Sequence, residues 1–182
     1  MDSILEDIDD EVEDLDEEEA REAYLALLSS SFPFVLVPPL FNRKGDLPDL
    51  NWTRVKYTEH AGHDFPEHQG VYMFAISVED DNLPPNSYIM YAGKAGDVTS
   101  NNTIANRFRD YVNKSGYYNR SRVKKLIKHY SDYLYYYYAE IPNGDSTSAV
   151  EQTLADILTP PCCKRDFSAT VRTLLRGAGI NG

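Results

Sequence analysis

Two Gly/Tyr pairs in apolar runs, with Lys94, Arg107, Tyr111 and Glu151 further along, are polar groups of this chain whose types could do chemistry. Tyr72 and Tyr91 each close to a glycine, in Gly70-Val71-Tyr72 and Tyr91-Ala92-Gly93, within apolar β-rich runs. Arg107 and Tyr111 are four residues apart, one turn, and so share a helix face. Glu151 falls among Ala149, Val150 and Leu154, near the buried side of its helix, where an unpartnered carboxylate is costly. Phenols, a guanidinium and an ammonium are groups that hydrogen-bond and neutralise an anion. The plainer roles stand beside these: the chain has 14 tyrosines, a strand tyrosine usually packs, and a helix glutamate is usually solvated.

The elements that must position them read as follows. Val71 to Val78 and Tyr88 to Ala92 are strands, and the acidic, Pro-Pro connector between them makes an antiparallel hairpin. Thr103 to Val112 is a helix capped by Asn102 or Thr103, with Ile104, Phe108, Tyr111 and Val112 on its apolar side. Ser121 to Tyr130 is a second helix, burying Val123, Leu126, Ile127 and Tyr130. Its basic residues Arg120, Arg122, Lys124, Lys125 and Lys128 face out. Tyr133 to Ile141 is a third strand, with Tyr135 to Tyr138 as sheet faces. A third helix starts at Ser146 or Thr147 and runs through Leu158 to Pro160-Pro161, and a short one covers Ser168 to Arg176. This order predicts an α+β fold: a small three-stranded antiparallel sheet flanked by helices, with an N-terminal extension. Within that extension, residues 29–68 are Pro- and aromatic-rich and expected to pack on the body. Phe34 to Val37 reads as a short strand ended by Pro38-Pro39, and Trp52 to Tyr57 as another candidate. Arg43, Lys44, Arg54 and Lys56 alternate with aromatics there, which favours a solvated loop over core anchors rather than a base-stacking surface. His60, His63 and His68 lie near acids at irregular spacing and read as surface histidines.

The two Gly/Tyr motifs, followed in order by Lys94, Arg107, Tyr111 and Glu151, resemble the GIY-YIG nuclease superfamily over about residues 70 to 165. The resemblance implies a nuclease domain over residues 69–182 that hydrolyses phosphodiester bonds in DNA, with Tyr72, Tyr91, Lys94, Arg107 and Tyr111 as catalytic residues and Glu151 as ligand of Mg²⁺ or Mn²⁺. In that scheme Arg107 grips phosphate oxygens and Tyr72 takes the proton of the attacking water. A phenol titrates near 10 unperturbed, so Lys94, Arg107 or the metal would have to lower its pKa. Arg109, Arg120, Arg122, Lys124 and Lys125 are the candidate contacts to the DNA backbone. One departure stands out: Cys162-Cys163 occupies the place where the family carries an Asn. Position 163 either braces the loop of the site, a job a buried thiol can fill, or leaves a catalytic hydrogen bond unmade.

The net charge of -11 is concentrated at one end: residues 1–22 hold 13 of the 29 acidic residues and a single arginine, leaving the rest at about +1. A phosphate-binding body is therefore compatible with the low pI. Residues 1–28 read as an acidic tail, disordered to about residue 16 and then helical, solubilising the protein or docking on the DNA-binding face or on a protein partner. Adjacent cysteines favour reduced thiols. No apolar run reaches membrane-spanning length and no leader opens the chain, so the expectation is a cytoplasmic protein without a membrane partner. Cutting both strands of DNA would require a homodimer. The alternative is a nucleic-acid-binding or regulatory module of the same fold with an inactive centre.

Overall fold

The computed structural model describes residues 17–98, 100–113, 117–163 and 166–177. The chain divides into two units, residues 1–32 and 33–182. In the first, helix α1 covers Glu17–Ser30. The hydroxyls of Ser29 and Ser30 fold back onto the carbonyl of Ala26 at 2.8 and 3.0 Å, a local competition with the backbone that suits a helix end. The expected disorder of the tail up to residue 16 lies outside the described residues.

The second unit begins with a correction. Phe34 to Val37 lies outside any sheet, and Pro38-Pro39 opens helix α2, Pro38–Phe41, instead of ending a strand. Proline is tolerated in a first helical turn, where its missing N–H would have had no partner. The extended segment is held by Val35, whose carbonyl accepts from Thr159 Oγ1 at 2.5 Å, and by the Phe34 ring, 5.9 Å from that of Tyr88.

The sheet has four strands rather than three: β1 Thr53–Lys56, β2 Gly70–Ile76, β3 Tyr88–Ala95 and β4 Leu134–Glu140, all antiparallel in the order β1-β4-β2-β3. The fourth strand comes from the extension. Thr53 to Lys56 pairs with Tyr138 to Tyr135, and the Arg54 guanidinium lies 3.5 Å from the centre of the Tyr135 ring. The alternation over Trp52 to Tyr57 marks the strand, while its partner lies far along the chain. Three basic residues of the extension, Arg43, Arg54 and Lys56, are engaged within the fold. Arg43 bonds Asp46 and the buried Asp156, Arg54 pairs with Glu79 at 2.5 Å, and Lys56 pairs with Glu59 at 2.9 Å.

Strand β2 is buried at every position, so both of its faces are covered. Helix α3, Ile104–Val112, covers the face carrying Tyr72 and Phe74. Its cap is Thr103, whose hydroxyl accepts from the Asn106 amide at 3.1 Å. Ile104, Phe108 and Tyr111 are buried, but Val112, expected among them, is 37% exposed because it falls one residue past the buried stripe. Under α3 the rings of Phe65, Phe74, Phe108 and Tyr136 form an aromatic layer, Phe65 stacking on Phe108 at 4.2 Å. Such pairs contribute about 0.5–1.5 kcal/mol each beyond their burial. Helix α4, Ser121–Tyr130, buries Val123, Leu126 and Ile127. Helix α5, Thr147–Leu158, packs on β3 and β2 and, with α3 on one face, takes the other. Helix α6, Ala169–Gly177, buries Val171 and Leu175. Among the described residues no helix is long and apolar enough to cross a membrane.

Candidate active site

Strand β3 is the edge of the sheet, and its outer side carries the site. Edge strands leave alternate N–H and C=O groups unpaired, and these need partners when they are covered. Here a loop and an arginine supply them. The Met90 carbonyl accepts from the amide of Cys162 at 2.9 Å, and the Lys94 carbonyl accepts from Arg107 Nε at 3.4 Å. Between them the Cys163 thiol serves both backbone groups of Ala92, accepting from its N–H at 3.1 Å and donating to its carbonyl at 3.3 Å. A carboxamide at this position could do the same two jobs with its oxygen and nitrogen. Position 163 therefore braces the strand beside Tyr91. Burial pushes the thiol pKa up, which keeps it neutral and able to donate.

Tyr72 pairs in register with Gly93. A Cβ at Gly93 would lie 2.5 Å from both Cζ and Oη of Tyr72, so the glycine is what lets the phenol lie across β3. There Tyr72 Oη meets Tyr111 Oη at 2.7 Å. Tyr91 lies alongside, its ring 6.1 Å from that of Tyr72, and its hydroxyl accepts from Arg120 Nη1. Arg107 and Tyr111, one turn apart on α3, thus face the two strand tyrosines as their spacing predicts.

Glu151 enters from α5. Its carboxylate is half-buried and, among the described residues, makes no hydrogen bond or ion pair. Burial raises its pKa from 4.5 to about 7, against the pull of Lys94, Arg120 and Arg107 and with a push from Asp166. Arg107 lies within electrostatic reach of both the Tyr72 phenol and the Glu151 carboxylate.

Two expectations need revision. Tyr72 is fully buried, and desolvation, with Tyr111 and Tyr91 beside it, drives its pKa well above 10, while Arg107 opposes this only in part. The cationic neighbours do not turn it into a ready base. Arg120, expected on the outer face of α4, stays exposed but reaches back to the sheet, its guanidinium 5.6 Å from the Tyr91 ring centre. The remaining basic residues stay outside this cluster. Arg109 is exposed and bonds Asn106 at 2.8 Å, Arg122 donates to the Pro161 carbonyl at 2.8 Å, and Lys124 and Lys125 line α4. Lys94 is already engaged, with Asp97 at 2.5 Å and with the Ser148 hydroxyl. Hydrogen bonds from Lys94 and Ser148 hold the Asp97 carboxyl well below the usual range.

Asp97, Ser148 and Tyr136 join the site without having been singled out in the sequence. Asp97 carried a faint signal, an acid three residues after Lys94. Tyr136 carried none, because its place under Tyr72, rings 5.2 Å apart, depends on the β2–β4 register. Its hydroxyl is buried and, among the described residues, has no partner. His60, His63 and His68 bond the Tyr57 carbonyl, the Tyr138 hydroxyl and Glu140 respectively. Among the described residues no three His, Cys, Asp or Glu side chains gather as a metal cage. A single unpartnered carboxylate still fits Mg²⁺, which keeps several waters and takes one or two protein carboxylates.

Comparison of the chain with family models, curated proteins and solved structures found no match.

Proposed function

We propose that the protein is a metal-dependent endonuclease of GIY-YIG type, hydrolysing phosphodiester bonds in DNA. The observation that carries this is the convergence of Tyr72, Tyr91, Tyr111, Arg107 and Glu151 around the edge strand β3. Arg107 offers a planar fork of donors to phosphate oxygens as charge builds on the scissile group. Glu151 would hold Mg²⁺ or Mn²⁺, which when bound supplies Lewis-acid polarisation of the phosphate and stabilises the leaving oxygen. The phenols act as neutral hydroxyls. Tyr72 and Tyr111 share one hydrogen bond, one hydroxyl donating and the other accepting, and serve as neutral groups that position the phosphate or the attacking water. Lys94, fixed by Asp97 and Ser148, adds positive charge beside Glu151. Arg109, Arg122, Lys124 and Lys125 contact the DNA backbone on either side. Two copies would be needed to cut both strands, and the free thiols fit a reducing, cytoplasmic setting.

One observation favours a second reading, an inactive nucleic-acid-binding module: Tyr72 and Tyr111 are closed off from solvent. A plasmid-cleavage assay with Mg²⁺ or Mn²⁺ separates the two. The nuclease reading expects nicking that Glu151→Ala abolishes while the circular dichroism spectrum is unchanged. DNA binding without cleavage by the wild type would favour the module. Undiminished cleavage by the variant would remove Glu151 from the site.

A further inference from the structure

Arg120 opens α4 rather than lying along it, and its backbone is fixed on both sides. Its N–H donates to the Tyr117 carbonyl at 2.9 Å, and its own carbonyl accepts from Lys124 at 2.9 Å. Its side chain leaves the outer basic face and reaches Tyr91. A guanidinium has five N–H donors. Among the described residues one of them has an acceptor, the hydroxyl of Tyr91, and no carboxylate is in ion-pair contact. Tyr91, Tyr111 and Tyr72 all lie within its electrostatic reach, as do Asp166, Arg107 and Glu151. Arg107 reaches the same three phenols from α3. The two guanidiniums thus flank one cluster of hydroxyls: Arg107 also pairs with Asp110 at 3.5 Å and bonds the Lys94 carbonyl, and each keeps donors to spare.

We propose that Arg120 is a second phosphate-gripping residue, closing on the scissile phosphate from the side opposite Arg107. This rests on the nuclease reading for its substrate, a phosphodiester, but the grip itself requires only an anion. Tyr91 then has a definite part: its hydroxyl parks the guanidinium at the site until phosphate takes over the free donors. The planar fork matters as well as the charge, since lysine offers a point charge without bidentate geometry.

The test titrates inorganic phosphate into the full chain in EDTA, by calorimetry, and measures DNA cleavage separately. Arg120→Ala is expected to raise the phosphate dissociation constant at least tenfold. Arg120→Lys should recover only a minor part of that, and Arg172→Ala, an exposed arginine on α6, should change nothing. Thermal midpoints accompany each variant, and if Arg120→Ala does not fold the comparison rests on Arg120→Lys. Wild-type affinity in both Arg120 variants, or no phosphate binding by the wild type at tens of millimolar, overturns the inference. Phosphate binding that depends on Arg120 in a protein that cuts no DNA keeps the grip and rejects the nuclease. Cleavage and phosphate binding that are both indifferent to Arg120 do the reverse.

Discussion

At Tyr72 the hydroxyl is bonded to that of Tyr111 at 2.7 Å while burial holds its proton in place, so its chemistry is that of a neutral donor and acceptor. Glu151 is the group that titrates near neutrality, at about 7. Its folded-state pKa lies above the unfolded value of 4.5, so the native state binds the proton more tightly than the unfolded chain does. The stability from that proton is complete below the unfolded value and is lost as pH rises through about 7. Glu151→Gln keeps the shape and removes the charge. In EDTA the variant should gain on the wild type as pH rises from 5 to 8, by at most about 3 kcal/mol, since one pKa unit is worth about 1.4 kcal/mol. Urea denaturation across that range reads the difference, and a gap that does not change with pH would mean that the carboxylate is solvated.

The element that organises the site is strand β3. The loop after α5 and an arginine from α3 take the place of a fifth strand, bonding Met90, Ala92 and Lys94 along the free edge. The thiol of Cys163 is the middle link, and its removal strands two buried backbone groups at Ala92. Cys163→Ala should cost roughly 1–3 kcal/mol, the penalty for buried polar groups left unpaired. Hydrogen exchange at the Ala92 amide should quicken more than exchange in β2. Unchanged protection at Ala92 would show that the thiol merely fills space. The sequence marked position 163 as a departure but left open whether it braced or catalysed, because a thiol's partners depend on which edge it faces.

On the scale of the whole molecule, charge is divided rather than balanced. Residues 1–22 carry a strongly acidic run while the rest is close to neutral, with bases collected near the start of α4. An acidic segment that competes with DNA for that face predicts that deleting residues 1–16 tightens DNA binding severalfold at low salt. The advantage should shrink toward 0.5 M salt, as the Debye length falls to a few ångströms. Fluorescence anisotropy with a short duplex measures both. Equal affinities at low salt would leave the segment a solubilising role.

Local chemistry determined the periods, breaks and caps. The 3.6-residue spacing of Ile104, Phe108 and Tyr111, the Thr103 and Ser146 caps and the apolar hairpin strands all act within a few residues of themselves. For that reason β2 and β3, the helices other than α2 and the α+β class were legible, as was the shared face of Arg107 and Tyr111. The tertiary structure alone decided what depends on distant partners: the pairing of Thr53–Lys56 with β4, the reach of Arg120 to Tyr91, the place of Tyr136 under Tyr72, and the burial that sets the protonation of Tyr72 and Glu151. Those properties come from desolvation and register, which arise only when separated parts of the chain meet.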